Sequence, residues 1–191
     1  MADIEKLIPF LIKWETGVSV KPNETAEALF ERSRKKGYAC IAGDRGGATQ
    51  SGITIGTYKS YCKRHGIAEP TVTDLKGITY QTWLAVLKEG FWDKWKADEI
   101  DSQNVANMLV DWVWHSGTAG IRKPQELLGV VPDGLVGRKT LAAVNSRGPV
   151  TLFHQLKAAR LKYFDDIVKS RPSQKKFLQG WRNRVNDLRY E

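Results

Sequence analysis

Apolar residues recur at helical spacing along most of this chain. Ile4, Ile8, Leu11 and Ile12 share one face of a first helix, with Asp3 as its candidate N-cap. Pro9 stands inside that pattern, where a missing N–H and a ring clash one turn back work against a helix. Glu15 continues the same face, which sets a carboxylate on an apolar stripe. Thr54 and Thr79 read as caps for helices over 55–65 and 80–89, the second turning Trp83, Val86 and Leu87 inward. Val105, Met108, Leu109, Trp112 and Val113 predict a helix over 104–115. Further helical patterns cover 137–145, 151–169 and 174–189, the last with a stripe of Phe177, Leu178, Trp181, Val185 and Leu188. No run alternates strongly enough for a long strand, and only a small hairpin near 38–54 is expected. The fold class is therefore mainly α.

Two stretches interrupt the helical pattern. Residues 18–36 form a polar excursion with Pro22, Asn23 and the charge run Glu31-Arg32-Ser33-Arg34-Lys35-Lys36, which reads as a solvated loop or short helix. Residues 43–54 are rich in glycine and threonine: Gly43-Asp44-Arg45-Gly46-Gly47-Ala48-Thr49-Gln50-Ser51-Gly52-Ile53-Thr54. So many glycines mark a backbone that turns sharply or approaches a ligand closely.

The length of 191 residues suits one good-sized core, or a domain with a small appendage. No apolar run approaches the ~18–20 residues of a membrane span. The first residues lack a basic, apolar secretory signal, so the chain is expected to be made in the cytoplasm and to reach any external target by another route. Cys40 and Cys62 make neither a metal motif nor a disulfide framework. A net charge of +9 draws the protein to polyanions such as nucleic acid, acidic membrane or cell wall. The aromatics mostly lie on apolar helix faces, which argues against base stacking and hence against a nucleic-acid partner. His115 has no second His or Cys at metal-ligand spacing, and no phosphate loop or nucleophile elbow is present. No metal or cofactor is expected, and a monomer is.

Two carboxylates, Glu15 and Asp44, are the candidates for chemistry. Glycoside hydrolysis needs one carboxyl group that keeps its proton near neutral pH, and burial against apolar groups favours the protonated form. Glu15, beside Trp14 at the end of an apolar face, has such a setting; an ion pair with a nearby Lys or Arg is the competing reading. Asp44 is the second candidate, as a base that activates water or as a nucleophile, against the plainer role of bonding its own loop. The helix over 104–115 carries a polar line of Asn104, Asn107, Asp111 and His115, which either lines a cleft or faces water.

These segments, in this order, resemble glycoside hydrolase family 108, the lysozyme-like N-acetylmuramidases of bacteria and phages. The block Asp44-Arg45-Gly46-Gly47-Ala48-Thr49-Gln50-Ser51-Gly52-Ile53-Thr54 is intact, Glu15-Thr16-Gly17 ends the first helix, and Gly37-Tyr38 stands at the family's spacing before Asp44. Thr16 replaces a glycine. An insertion of about twenty residues, the excursion at 18–36, would separate the two halves at little entropic cost. Phe91-Trp92-Asp93, Asp111-Trp112-Val113-Trp114-His115-Ser116-Gly117 with His115 in place of Asn, and Phe177 to Val185 continue the likeness. Pro124 to Gly129 and Asp133-Gly134-Leu135-Val136-Gly137-Arg138-Lys139-Thr140-Leu141 resemble a small peptidoglycan-binding motif.

The resemblance implies a lysozyme-like catalytic region over 1–117 and a peptidoglycan-binding-like region over 118–191. It implies peptidoglycan glycan strands as partner, the β-1,4 bond as target and Glu15 as the catalytic acid. Asp44 is the first choice for the second catalytic group, with Thr49 or Thr54 holding water, and Tyr38, Gly47, Asp111 and His115 belong to the substrate side. A lytic transglycosylase and a non-catalytic wall-binding module are the alternatives.

Overall fold

Helices carry most of the computed structural model, which describes residues 1–40 and 47–191. Its contacts gather into two units, one of residues 4–91 and one of 1–3 with 92–191.

In the unit 4–91, a 3₁₀ turn at Ile4–Lys6 leads into helix α1, Ile8–Thr16. The helix starts later than the periodicity suggests. Pro9 therefore falls in its first turn, where a backbone donor has no intrahelical partner to lose. Leu7 occupies the cap position without a side-chain bond, so Asp3 does not cap this helix. Ile8, Leu11 and Ile12 turn inward and are fully buried.

The excursion at 18–36 is only partly a loop. Thr25 accepts a hydrogen bond from the Ala28 amide and starts helix α2, Ala26–Gly37, which packs along α1. Leu29 and Phe30 are wholly buried, and the Phe30 ring lies 5.3 Å from that of Trp83. The charge run masked this inner face, since its basic residues occupy the outer one. Two of them also hold the surroundings: Arg32 binds Glu24 and the Ser19 carbonyl, and Arg34 donates to the carbonyls of Gly77 and Ile78. Residues 18–36 thus contribute a helix with a buried inner face.

Strands β1 (Tyr38–Ala39), β2 (Thr49–Gln50) and β3 (Ile53–Thr54) form a small antiparallel sheet in the order β1-β2-β3. The two residues joining β2 to β3, Ser51 and Gly52, both have positive φ (46° and 82°), the signature of the turn that suits a two-residue hairpin. Helices α3 (Ile55–Arg64), α4 (Val72–Lys76) and α5 (Tyr80–Leu87) follow, capped by Thr54, Thr71 and Thr79. A π turn at Lys88–Trp92 ends this stretch.

The other unit contains a 3₁₀ turn at Ala97–Glu99 and helices α6 (Gln103–Ser116), α7 (Ala119–Leu128), α8 (Arg138–Asn145), α9 (Pro149–Ser170) and α10 (Lys175–Asp187). Helix α6 packs on α7 and α9, and α9 on α10. Trp92, Trp95, Met108, Trp112, Phe153 and Phe164 fill its core. The first residues belong here as well, because Asp3 and Gln103 exchange hydrogen bonds of 2.7 and 3.0 Å. The α10 stripe is less buried than its periodicity suggests: Val185 and Leu188 are inside, while Phe177 is 45% exposed. Among the described residues no helix is long and apolar enough to cross a membrane.

Candidate active site

Glu15 sits in the last turn of α1 and is half-buried. The residues around it fix that turn. Gly17 adopts the left-handed conformation (φ 72°) and donates its amide to the Lys13 carbonyl, which closes the helix. Thr16, the departure from the family pattern, is buried; its hydroxyl donates to the Ile12 carbonyl at 2.7 Å and accepts from the Val18 amide. One turn before, the rings of Phe10 and Trp14 pair at 6.4 Å on the half-buried side of the helix. Glu15 therefore rises from a helix end whose backbone is fixed by Thr16 and Gly17.

The sheet gathers several of the other candidates. Thr49 and Thr54 are direct cross-strand partners, and Ala39 pairs with Thr49 on the next strand. Partners across a ladder share a face. Gln50 and Ile53, buried at 0% and 1%, mark the inner face, so the half-buried Thr49 and Thr54 stand on the outer one. Thr54 already works as a cap: its hydroxyl accepts from the Thr57 amide at 3.2 Å and shares a hydrogen bond with the Thr57 hydroxyl. The Thr49 hydroxyl has no partner among the described residues. Tyr38 is half-buried, with Lys76 Nζ 5.1 Å from its ring centre, and Gly47 (φ 65°) leads into β2. Asp44 lies outside the described residues.

The parts that hold this sheet were not visible in the sequence. Gln50 is wholly buried and donates to the Arg34 carbonyl at 2.9 Å. The Ser51 amide donates to the Gly37 carbonyl, and the Trp83 indole donates to the Ser51 carbonyl at 3.0 Å. Gly37 is required here, since a Cβ would lie 2.4 Å from Ser51 Oγ and 3.1 Å from the Ser51 amide nitrogen. A glutamine in a glycine-rich loop reads as solvated. The one sequence hint is Gly37 itself, a glycine within the last turn of a helix that leads directly into a strand.

The polar line on α6 turns into the unit 92–191. Asn104 donates to the Glu191 carbonyl, and Asn107 accepts from Gln103. Asp111 is wholly buried between two guanidinium groups, 2.8 Å from Arg160 and 2.7 Å from Arg184. Burial opposes its charge, yet the two arginines overcome that and hold its carboxyl down at about 2. This corrects the expectation of a substrate contact, because an enclosed carboxylate has no surface to offer. His115 lies edge-on to Phe164 and Trp181, with ring centres 5.3 and 5.9 Å away, and Nδ1 is 3.2 Å from the Ser116 hydroxyl. Burial pushes its imidazole down to about 4, assisted by Arg160 and Arg184 and opposed by Asp111, so it is neutral at pH 7. Among the described residues no group of three or more His, Cys, Asp or Glu side chains could hold a metal ion. Cys40 is exposed and Cys62 buried, and both are free thiols.

Comparison with known proteins bears on both units. Residues 33–117 match the glycosyl hydrolase 108 family, and residues 119–186 match a predicted peptidoglycan domain. The first match begins inside α2 and contains the whole sheet, while Glu15 precedes it. The solved structure of Brucella abortus SagA is similar, with 29% sequence identity and a TM-score of 0.66 over 79% of this chain and 82% of that one. A search of curated proteins gives no match. The chain thus carries a glycosyl hydrolase 108 domain, which implies a glycoside hydrolase, followed by a predicted peptidoglycan-binding domain.

Proposed function

We infer that this protein hydrolyses the β-1,4 bond between N-acetylmuramic acid and N-acetylglucosamine in peptidoglycan, with Glu15 as general acid. The observation that carries the reading is the pairing of Thr49 with Thr54 on the outer face of a sheet that lies within the glycosyl hydrolase 108 match and in the same unit as Glu15. A half-buried carboxyl on a closed helix end can meet a glycosidic oxygen in one fixed orientation, which removes an entropic part of the barrier. Glu15 gives its proton to the leaving oxygen as the C–O bond breaks. A carboxylate across the sugar, assigned to Asp44, takes a proton from the attacking water. Thr49 is the better of the two threonines to orient that water, because Thr54 spends most of its hydrogen-bonding capacity on the α3 cap. Tyr38 and Gly47, on either side of the same loop, are assigned to the glycan path, Tyr38 from the face of the sheet that it shares with its ladder partner Gln50 rather than from the face of Thr49 and Thr54. Such a protein acts on the wall outside the cytoplasm.

The test is digestion of purified peptidoglycan by wild type and by Glu15→Gln, with product ends identified by mass spectrometry. Loss of a general acid costs on the order of 10²–10⁴ in rate. Wild type should yield reducing muramic acid ends, and the folded variant should yield almost none. Anhydro ends would make the enzyme a transglycosylase, and wild-type turnover by the variant would overturn the role of Glu15.

A further inference from the structure

Between α7 and α8 the chain makes a short tip that carries, among the described residues, the two most exposed large aliphatic side chains apart from Met1: Val131 and Leu135, each 74% exposed. The tip is not loosely held. Gln125, wholly buried on α7, donates to Asp133 Oδ1 and to the Leu135 carbonyl, each at 2.9 Å, and accepts from the Gly134 amide at 2.9 Å. Asp133 Oδ1 also accepts from the Leu135 amide at 2.8 Å. Gly134 has φ 83° and lies so close to Thr118 that a Cβ would clash with its methyl group, 2.8 Å away. A fully satisfied buried glutamine thus presents two aliphatic groups to water in a fixed geometry, an arrangement that does nothing for the core.

Both side chains border a cleft of about 500 Å³ whose rim carries Arg138 and Lys139. The acid in that rim, Asp133, is kept ionised by its hydrogen bonds with Gln125 and the loop backbone, and Arg138 and Lys139 outweigh its one charge, so the rim is net positive. The volume lies in the ordinary range of ligand sites, about 300–1,000 Å³. The fitting occupant has methyl and alkyl groups beside free carboxylates.

We propose that this tip docks the stem-peptide side of a peptidoglycan strand, with Val131 and Leu135 against its methyl groups and Arg138 and Lys139 against its carboxylates. The inference rests on peptidoglycan being the substrate and adds where, and by which part, the strand is held. Because the tip is preorganised, docking spends little further conformational entropy.

The experiment uses the full chain carrying Glu15→Gln, so that substrate is not consumed, and measures its depletion from solution by purified insoluble peptidoglycan sacculi. Val131→Ser with Leu135→Ser should weaken retention by about tenfold or more, with an unchanged melting temperature, since both side chains are already in water. Arg138→Glu with Lys139→Glu should weaken it similarly and flatten the fall of retention with rising salt. Sacculi stripped of stem peptides by an amidase should retain even the unaltered tip poorly. Ile67→Ser, an exposed position in the unit 4–91, should change nothing. Retention of all variants equal to that of the parent overturns the proposal, as does undiminished binding to stripped glycan. Cleavage by the wild type is scored separately: a wild type that fails to cut while tip variants lose retention would sink the hydrolase reading and leave the docking site standing.

Discussion

Acidification from pH 7 to pH 4 should destabilise this protein through His115. The folded state lowers the imidazole from 6.5 to about 4, first because the half-buried ring is largely desolvated and then because Arg160 and Arg184 stand near it. In the unfolded chain the ring titrates near 6.5. Folding therefore favours the neutral form. The associated stability is complete above pH 6.5, declines between 6.5 and 4 as the unfolded state binds a proton that the folded state refuses, and changes no further below 4. A displacement from 6.5 to about 4 corresponds to roughly 3 kcal/mol, with a slope near 1.4 kcal/mol per pH unit inside that window. Asp111 does not blur the measurement. Its carboxyl is held at about 2, so its contribution is present above the unfolded value of 3.8 and is lost only as pH falls toward 2. Urea unfolding across pH 4 to 7 should show the extra slope in wild type and not in His115→Asn, which cannot titrate. The ring protons of His115 should titrate with a midpoint near 4 by NMR. Equal slopes in the two proteins, or a midpoint near 6.5, would refute the argument.

Asp111→Asn leaves the Arg160 and Arg184 guanidiniums buried without a counter-charge and should cost about 3–5 kcal/mol, read as a large fall in melting temperature; a loss below 1 kcal/mol would mean that the pair is compensated elsewhere. Gly37→Ala drives a methyl group into Ser51 and should cost about 1–3 kcal/mol while lowering glycan cleavage through the displaced sheet; an unchanged melting temperature would show that the contact relaxes. Proton NMR of freshly released reducing ends should show the α-anomer first, as inversion through an Asp44-activated water requires; the β-anomer first would make the second carboxylate a nucleophile.

Local signals in the sequence are legible where the deciding partner is local. Thr54 and Thr79 are found as caps because a cap bonds an amide three residues on. Pro9 looks like an obstacle because periodicity alone does not tell whether the helix begins at Ile4 or Ile8. The difference was settled by the 3₁₀ turn before it. Residues 18–36 hide their inner face for a related reason. Five charged residues between Glu31 and Lys36 outweigh two apolar ones, yet Leu29 and Phe30 are adjacent and wholly buried, with the Phe30 ring against Tyr80 and Trp83.

The α6 line shows where pattern reading stops. Helical spacing puts Asn104, Asn107, Asp111 and His115 in one row whatever that row faces. Water and a buried cation are equally good neighbours for Asp111, and the choice is made by Arg160 and Arg184, 49 and 73 residues further along the chain. One half of that choice was nonetheless written in α9. Arg160 lies four residues from Leu156 and four from Phe164, within the same buried stripe. A guanidinium cannot enter an apolar stripe without a carboxylate to meet it, because burying an isolated charge costs far more than the stripe returns. An arginine at a core position therefore predicts a buried acid on a facing helix. Asp111 shares a face with Met108 and Trp112, whose side chains both contact Arg160, which makes it the fitting partner. The second arginine beside one aspartate leaves the cluster with positive charge to spare, which adds to burial in keeping His115 neutral.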